Sequence, residues 1–124
     1  MRKGIFGLVM VAAIVFAVSA QGHEASKHGA RTVVGELIDT GCYTAHLGKG
    51  AGHASCATKC INQGMAMGVL TKTGVLYLVT MEHDNPDSYN KLKSMAGKNV
   101  AITGHVYTRS GMKAIEITGF KPAA

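Results

Sequence analysis

Met67-Gly68-Val69-Leu70-Thr71-Lys72-Thr73-Gly74-Val75-Leu76-Tyr77-Leu78-Val79-Thr80-Met81 reads as a β-hairpin, and what stands on either side of it decides the fold. Two apolar, strand-forming runs flank Lys72-Thr73-Gly74, where glycine supplies the positive φ that a short loop needs. Downstream, Asn85 caps a helix that has Pro86 at its first position. Tyr89, Leu92, Met95 and Ala96 recur there at helical spacing until Gly97 stops it. Asn99 to Tyr107 then alternates, with Val100, Ile102 and Val106 on one face and Thr103, His105 and Tyr107 on the other. Arg109-Ser110-Gly111 turns this strand into Met112 to Thr118. Upstream, Thr32 to Asp39 is β-rich and bounded by Gly41, which makes it the first strand. A glycine-rich loop over Gly41 to Ala54 follows. Ser55 caps a short helix of Cys56 to Gln63, and Gly64 ends that helix as a left-handed residue.

Strand, loop with helix, hairpin, helix, hairpin is the order of an all-β fold with minor α. It predicts a five-stranded OB-type barrel with one helix between strands three and four and a short Cys-bearing helix between strands one and two. Gly35 and Gly104, inside strands, suit the coiling of so small a barrel. The domain is expected over residues 32–121. Gln21 to Arg31 holds almost no apolar residue and reads as a mobile N-terminal segment.

The first twenty residues have a separate role. Met1-Arg2-Lys3-Gly4 is basic, and the apolar run Ile5 to Val18 ends in Val18-Ser19-Ala20, the pattern of a secretory signal peptide cut after Ala20. At 14 residues the run is shorter than the roughly 20 of a spanning helix, so no membrane span is expected after cleavage. The mature chain is expected to be periplasmic or secreted. Without Arg2 and Lys3, the thirteen basic residues become eleven against seven acidic ones, a net charge of +4. The lysines are scattered, without a basic run or interleaved aromatics, so nothing favours nucleic acid as a partner.

All three cysteines, Cys42, Cys56 and Cys60, fall within about twenty residues, together with His46 and His53. An odd number of cysteines in an oxidising compartment is not a simple disulfide framework. Cys56 and Cys60 lie four apart on the expected helix, with Cβ atoms about 5–6 Å apart on one face. That spacing exceeds the ~3.5–4.5 Å of a disulfide but suits two thiolates chelating one ion. Cys42, His53 or His46 can complete a trigonal or tetrahedral set. Soft thiolates select Cu(I) or Zn(II), copper ahead of zinc, and Met65 and Met67 offer thioethers. Asp39, beside the cluster, is a candidate partner for a histidine. The competing use of the same sulfurs is a disulfide, Cys42 to Cys60 or Cys42 to Cys56, tying the loop to the helix.

Other readings remain open from the residues. Cys56 in the first turn of its helix is placed for a lowered thiol pKa, as a redox thiol requires. That supports a thiol-redox or haem-associated helper in exported electron-transfer maturation, although Cys-x-x-Cys and Cys-x-x-Cys-His are both missing. An OB module that binds a protein partner or a glycan, stapled by a disulfide, is the third reading. Cleavage after Ala20 would place His23 third from a free amine, a square-planar nitrogen set for Cu(II). No Gly-x-Ser-x-Gly, His-Glu-x-x-His, phosphate loop or dinucleotide fingerprint is present, so a non-enzymatic binding protein is expected rather than an enzyme.

Gly35-Glu36-Leu37-Ile38-Asp39-Thr40-Gly41-Cys42, then His53-Ala54-Ser55-Cys56-Ala57-Thr58-Lys59-Cys60, and finally Gly104-His105-Val106, resemble a kind of small exported bacterial OB-fold protein. The likeness spans nearly all of the expected mature chain. It implies the OB barrel and export, and it assigns no activity.

Overall fold

The computed structural model describes residues 29–124; the expected signal peptide (1–20), most of the expected N-terminal segment and His23 lie outside the described residues. Among the described residues five strands, β1 (Arg31–Asp39), β2 (Met67–Leu70), β3 (Leu76–Met81), β4 (Asn99–Arg109) and β5 (Met112–Pro122), form one sheet. Three helices, α1 (Thr40–His46), α2 (Ala54–Asn62) and α3 (Asp87–Leu92), connect them, so the described protein is mostly β with minor α. Among the described residues no helix is long and apolar enough to cross a membrane.

The sheet closes on itself in the order β1-β2-β3-β5-β4. Closure depends on β1 serving two neighbours: Arg31 to Glu36 pair with β4, and Glu36 to Asp39 pair with β2. Arg31, expected in the N-terminal segment, is already the first strand residue, because β4 is long enough to offer it Gly104 as a partner. The parallel pair, β3 with β5 over Leu78–Met81 and Ala114–Ile117, seals the ring, and the chain between β3 and β5 supplies the crossover it requires. Close approach explains Gly104: a Cβ there would overlap the Glu116 carbonyl, and the β4–β5 register shifts between Thr103 and Gly104.

Leu37, Met67, Val69, Val79, Val100, Ile102, Ile115 and Ile117 point inward from the strands and form one core cluster. Leu92 and Ala96 close it from the segment after β3, where Asn85 Oδ1 accepts a hydrogen bond from the Asp87 N–H at 3.2 Å. Ala57 and Ile61, four apart on α2, plug the barrel with one helical face. Cys56 and Cys60 each precede one of these anchors by a single residue. Seating the anchors therefore turns both sulfurs to the flank of α2, outside the core.

Several boundaries differ from the sequence reading. The α3 helix starts at Asp87 with Pro86, not Asn85, in the cap position, and it gives way after Leu92 to a 3-10 turn over Lys93–Met95; β4 and β5 run on to Arg109 and Pro122. The glycine-rich stretch opens as a helix, α1: Asp39, in an extended conformation, accepts from the Cys42 N–H, and Leu47 ends the helix with φ 58°. The α2 helix starts earlier than expected, after a 3-10 turn over Ala51–His53, so Ser55 lies inside it and His53 takes the cap position without a side-chain cap bond. Its far end is as the glycine predicts, with Gly64 at φ 103°.

Candidate metal centre

Asp39 is the pivot. Among the described residues it is the one polar side chain in the fully buried set, held at the end of β1 where the strand hands over to α1. Burial of a carboxylate costs several kcal/mol unless its oxygens are satisfied, and both are engaged. Oδ1 accepts from the Cys42 N–H at 2.7 Å, and Oδ2 lies 3.3 Å from His53 Nε2. A carboxylate on one imidazole nitrogen holds the proton there and leaves the lone pair on the other available to a metal. Asp39 thus orients one candidate thiolate through its backbone and one candidate imidazole through its ring.

The loop between α1 and α2 is folded back to bring His53 to this point. Glu36 Oε1 accepts from the Gly50 N–H, and the Gly48 N–H bonds to the Cys42 carbonyl at 3.2 Å. Gly48 itself is buried, and a Cβ there would stand 2.7 Å from His53 Nε2 and 3.1 Å from the Cys42 Cβ. Only glycine lets the loop pass between these two side chains.

Three sulfurs converge beside Asp39. Cys60 Sγ lies 4.0 Å from Cys42 Sγ and 4.0 Å from Cys56 Sγ. The three sulfur atoms all lie within 4.8 Å of one another, and the same bound holds for the ligand atoms of Cys42, His46 and His53. The His46 and His53 rings meet edge to face, with centroids 5.8 Å apart. A trigonal ion with metal–thiolate bonds of about 2.3 Å sets its sulfurs roughly 4.0 Å apart. Two of the three sulfur separations match that figure and the third lies within 4.8 Å, so the all-cysteine group can hold a metal ion, and so can the group of Cys42 with the two histidines.

No disulfide is formed. All three cysteines are free, and the 4.0 Å separations are about twice a sulfur–sulfur bond. The Cys42 thiol is pushed up to about 12 from its ordinary 9.0, first by the Asp39 carboxylate, then by burial and by the neighbouring thiols. Burial also pushes up the Cys60 thiol, which Cys42 partly offsets. Without a cation Cys42 and Cys60 therefore favour the protonated form, and a bound metal is what replaces those protons.

Of the remaining sequence candidates, Met65 is partly exposed and packs its Sδ and Cε against Gly41, next to Cys42. Met67 is fully buried in the barrel core and opposite Asp39 in the β1–β2 register, which makes it packing for the site's floor. His83 and His105 belong to neither ligand group. Gly48 and Glu36 are not legible as site residues in the sequence, because their roles arise from loop contacts that no local pattern announces. Compared with protein-family models and with curated proteins, the chain has no significant match.

Proposed function

We propose that this chain is an exported, non-enzymatic OB-type protein that binds a soft transition-metal ion, Cu(I) ahead of Zn(II), on Cys42, Cys56 and Cys60. The convergence of three free sulfurs within 4.8 Å of one another, two of the separations at 4.0 Å, carries the reading. Thiolates select soft ions, and a three-sulfur set without a fixed fourth ligand suits Cu(I) better than tetrahedral Zn(II). Support for the OB type comes from the ring order β1-β2-β3-β5-β4 with α3 between β3 and β4. Support for export comes from the basic and apolar pattern of Met1 to Ala20. Anaerobic Cu(I) titration against a chromogenic competitor tests the site: tight binding should weaken at least about tenfold in Cys56→Ser, a loss of ~1.4 kcal/mol. Equal affinity in the two proteins refutes it.

The second reading is a thiol-redox centre, favoured by Cys60 standing 4.0 Å from both of the other sulfurs. Cys60 can close a disulfide with Cys42, the two thiol protons leaving to solvent and two electrons passing to an oxidised disulfide partner, whereas the helical spacing opposes a bond with Cys56. Thiol counting of protein kept in its native redox state separates the two: three free thiols with bound metal support the first reading, and one free thiol without metal supports the second.

A further inference from the structure

The ligand atoms of the site do not gather around one point. Among the described residues they fall into two compact sets, Cys42-Cys56-Cys60 and Cys42-His46-His53, each within 4.8 Å, and the sets have one member in common. Their origin in the fold is equally paired. The α1 helix presents Cys42 and His46 four residues apart, and α2 presents Cys56 and Cys60 four residues apart, with His53 at its N-cap. Each helix thus carries one chelating i, i+4 pair, the spacing at which two side chains of one face reach a common ion. A single ion bound by the three sulfurs leaves both imidazoles unused.

The shared residue is the right kind. A thiolate sulfur keeps lone pairs after binding one soft ion and can bind a second, whereas an imidazole nitrogen has only one to give. Charge points the same way. Three thiolates around one monovalent ion leave two uncompensated negative charges beside the buried Asp39 carboxylate, and a second ion leaves only one.

We propose that α1 and α2 together hold a dinuclear Cu(I) centre bridged by the Cys42 thiolate, with one ion on Cys42, Cys56 and Cys60 and the other on Cys42, His46 and His53. This rests on the metal-binding reading above and adds to it the stoichiometry and the role of each histidine. Both ions enter as Cu(I), and the thiol protons leave to solvent.

Native mass spectrometry of the reduced full chain, titrated anaerobically with Cu(I), tests it, with circular dichroism confirming that each variant is folded. The wild-type chain should saturate at two ions. His46→Ala, an exposed change in the last turn of α1, should saturate at one. Cys56→Ser should weaken one equivalent only, and Cys42→Ser should weaken both. Saturation of the wild-type chain at one ion, or two ions retained in His46→Ala, overturns the bridged pair and leaves the three-sulfur site standing. Absence of any bound ion removes both.

Discussion

At the residue scale the site turns on Asp39. Its carboxylate caps α1, contacts His53 and raises the Cys42 thiol, three roles that substitutions can separate. Asparagine caps as well as aspartate but carries no charge. In Asp39→Asn the Cys42 thiol should titrate nearer its ordinary range, read from thiolate absorbance in the ultraviolet against pH, with the helix preserved. An unmoved titration curve would show that the carboxylate is not the cause. Asp39→Ala should in addition lose about 1 kcal/mol of unfolding free energy as the cap goes. The sign of the pH dependence follows from the direction of the shift. The folded value, about 12, lies above the unfolded 9.0, so the stabilisation is complete below pH 9.0 and is lost as pH rises toward 12. Chemical denaturation of the metal-free protein across that alkaline window should show the fall. Metal affinity should run the other way, strengthening as pH rises, because each thiol must give up its proton to bind. The sequence shows Asp39 as a candidate neighbour of a histidine, but not that one carboxylate would serve Cys42 and His53 together. That depends on the chain returning to Asp39 fourteen positions later, after α1 and the loop that follows it.

At the scale of elements, what brings the groups together is a pair of short helices and the loop between them. The α1 helix is poorly legible in sequence because Gly41 sits in its first turn and Gly48, Gly50 and Gly52 follow, residues that lower helix propensity by about 1 kcal/mol each relative to alanine. Its end is marked by Leu47 at φ 58°, a conformation that costs an L-residue roughly 1–2 kcal/mol and that no composition rule predicts. The α2 helix is legible, since Ala57 and Ile61 repeat at helical spacing and Gly64 closes it. Its early start at Ala54 has no local sequence signal, and it brings Ala54 so close to Gly97 that a Cβ on Gly97 would overlap it. The loop gives the sharpest element-level expectation. Gly48→Ala inserts a methyl group between Cys42 and His53, so it should displace the imidazole and weaken metal binding while the barrel stays folded. A competitor titration alongside circular dichroism checks this; unchanged affinity would show that His53 does not belong to the site.

At the scale of the whole molecule the closed sheet carries the site, with β1 ending at Asp39. Its strands were readable because alternation and turn glycines are local signals, and the hairpin at Gly74 and the β4–β5 turn at Ser110-Gly111 both adopt positive φ. The closure between β3 and β5 was readable only through the order of elements, since parallel pairing leaves no mark on either strand. Ile117 lies in that closing pair and is fully buried, so Ile117→Ala should cost about 2–5 kcal/mol in denaturant melts. Metal should act in the opposite direction: free ion at about a hundred times its Kd stabilises a protein that binds only when folded by about 2.7 kcal/mol. The increment should appear in the wild-type chain and be lost in Cys42→Ser. The cluster of sulfurs was legible from spacing alone, and the fold adds the reason they meet: α2 must seat Ala57 and Ile61, and doing so swings Cys56 and Cys60 toward Cys42. The most direct test of that convergence is X-ray absorption at the copper edge of the Cu(I)-loaded full chain. A dominant sulfur shell at about 2.3 Å is expected, and a shell made only of nitrogen or oxygen near about 2.0 Å would rule the three-sulfur site out.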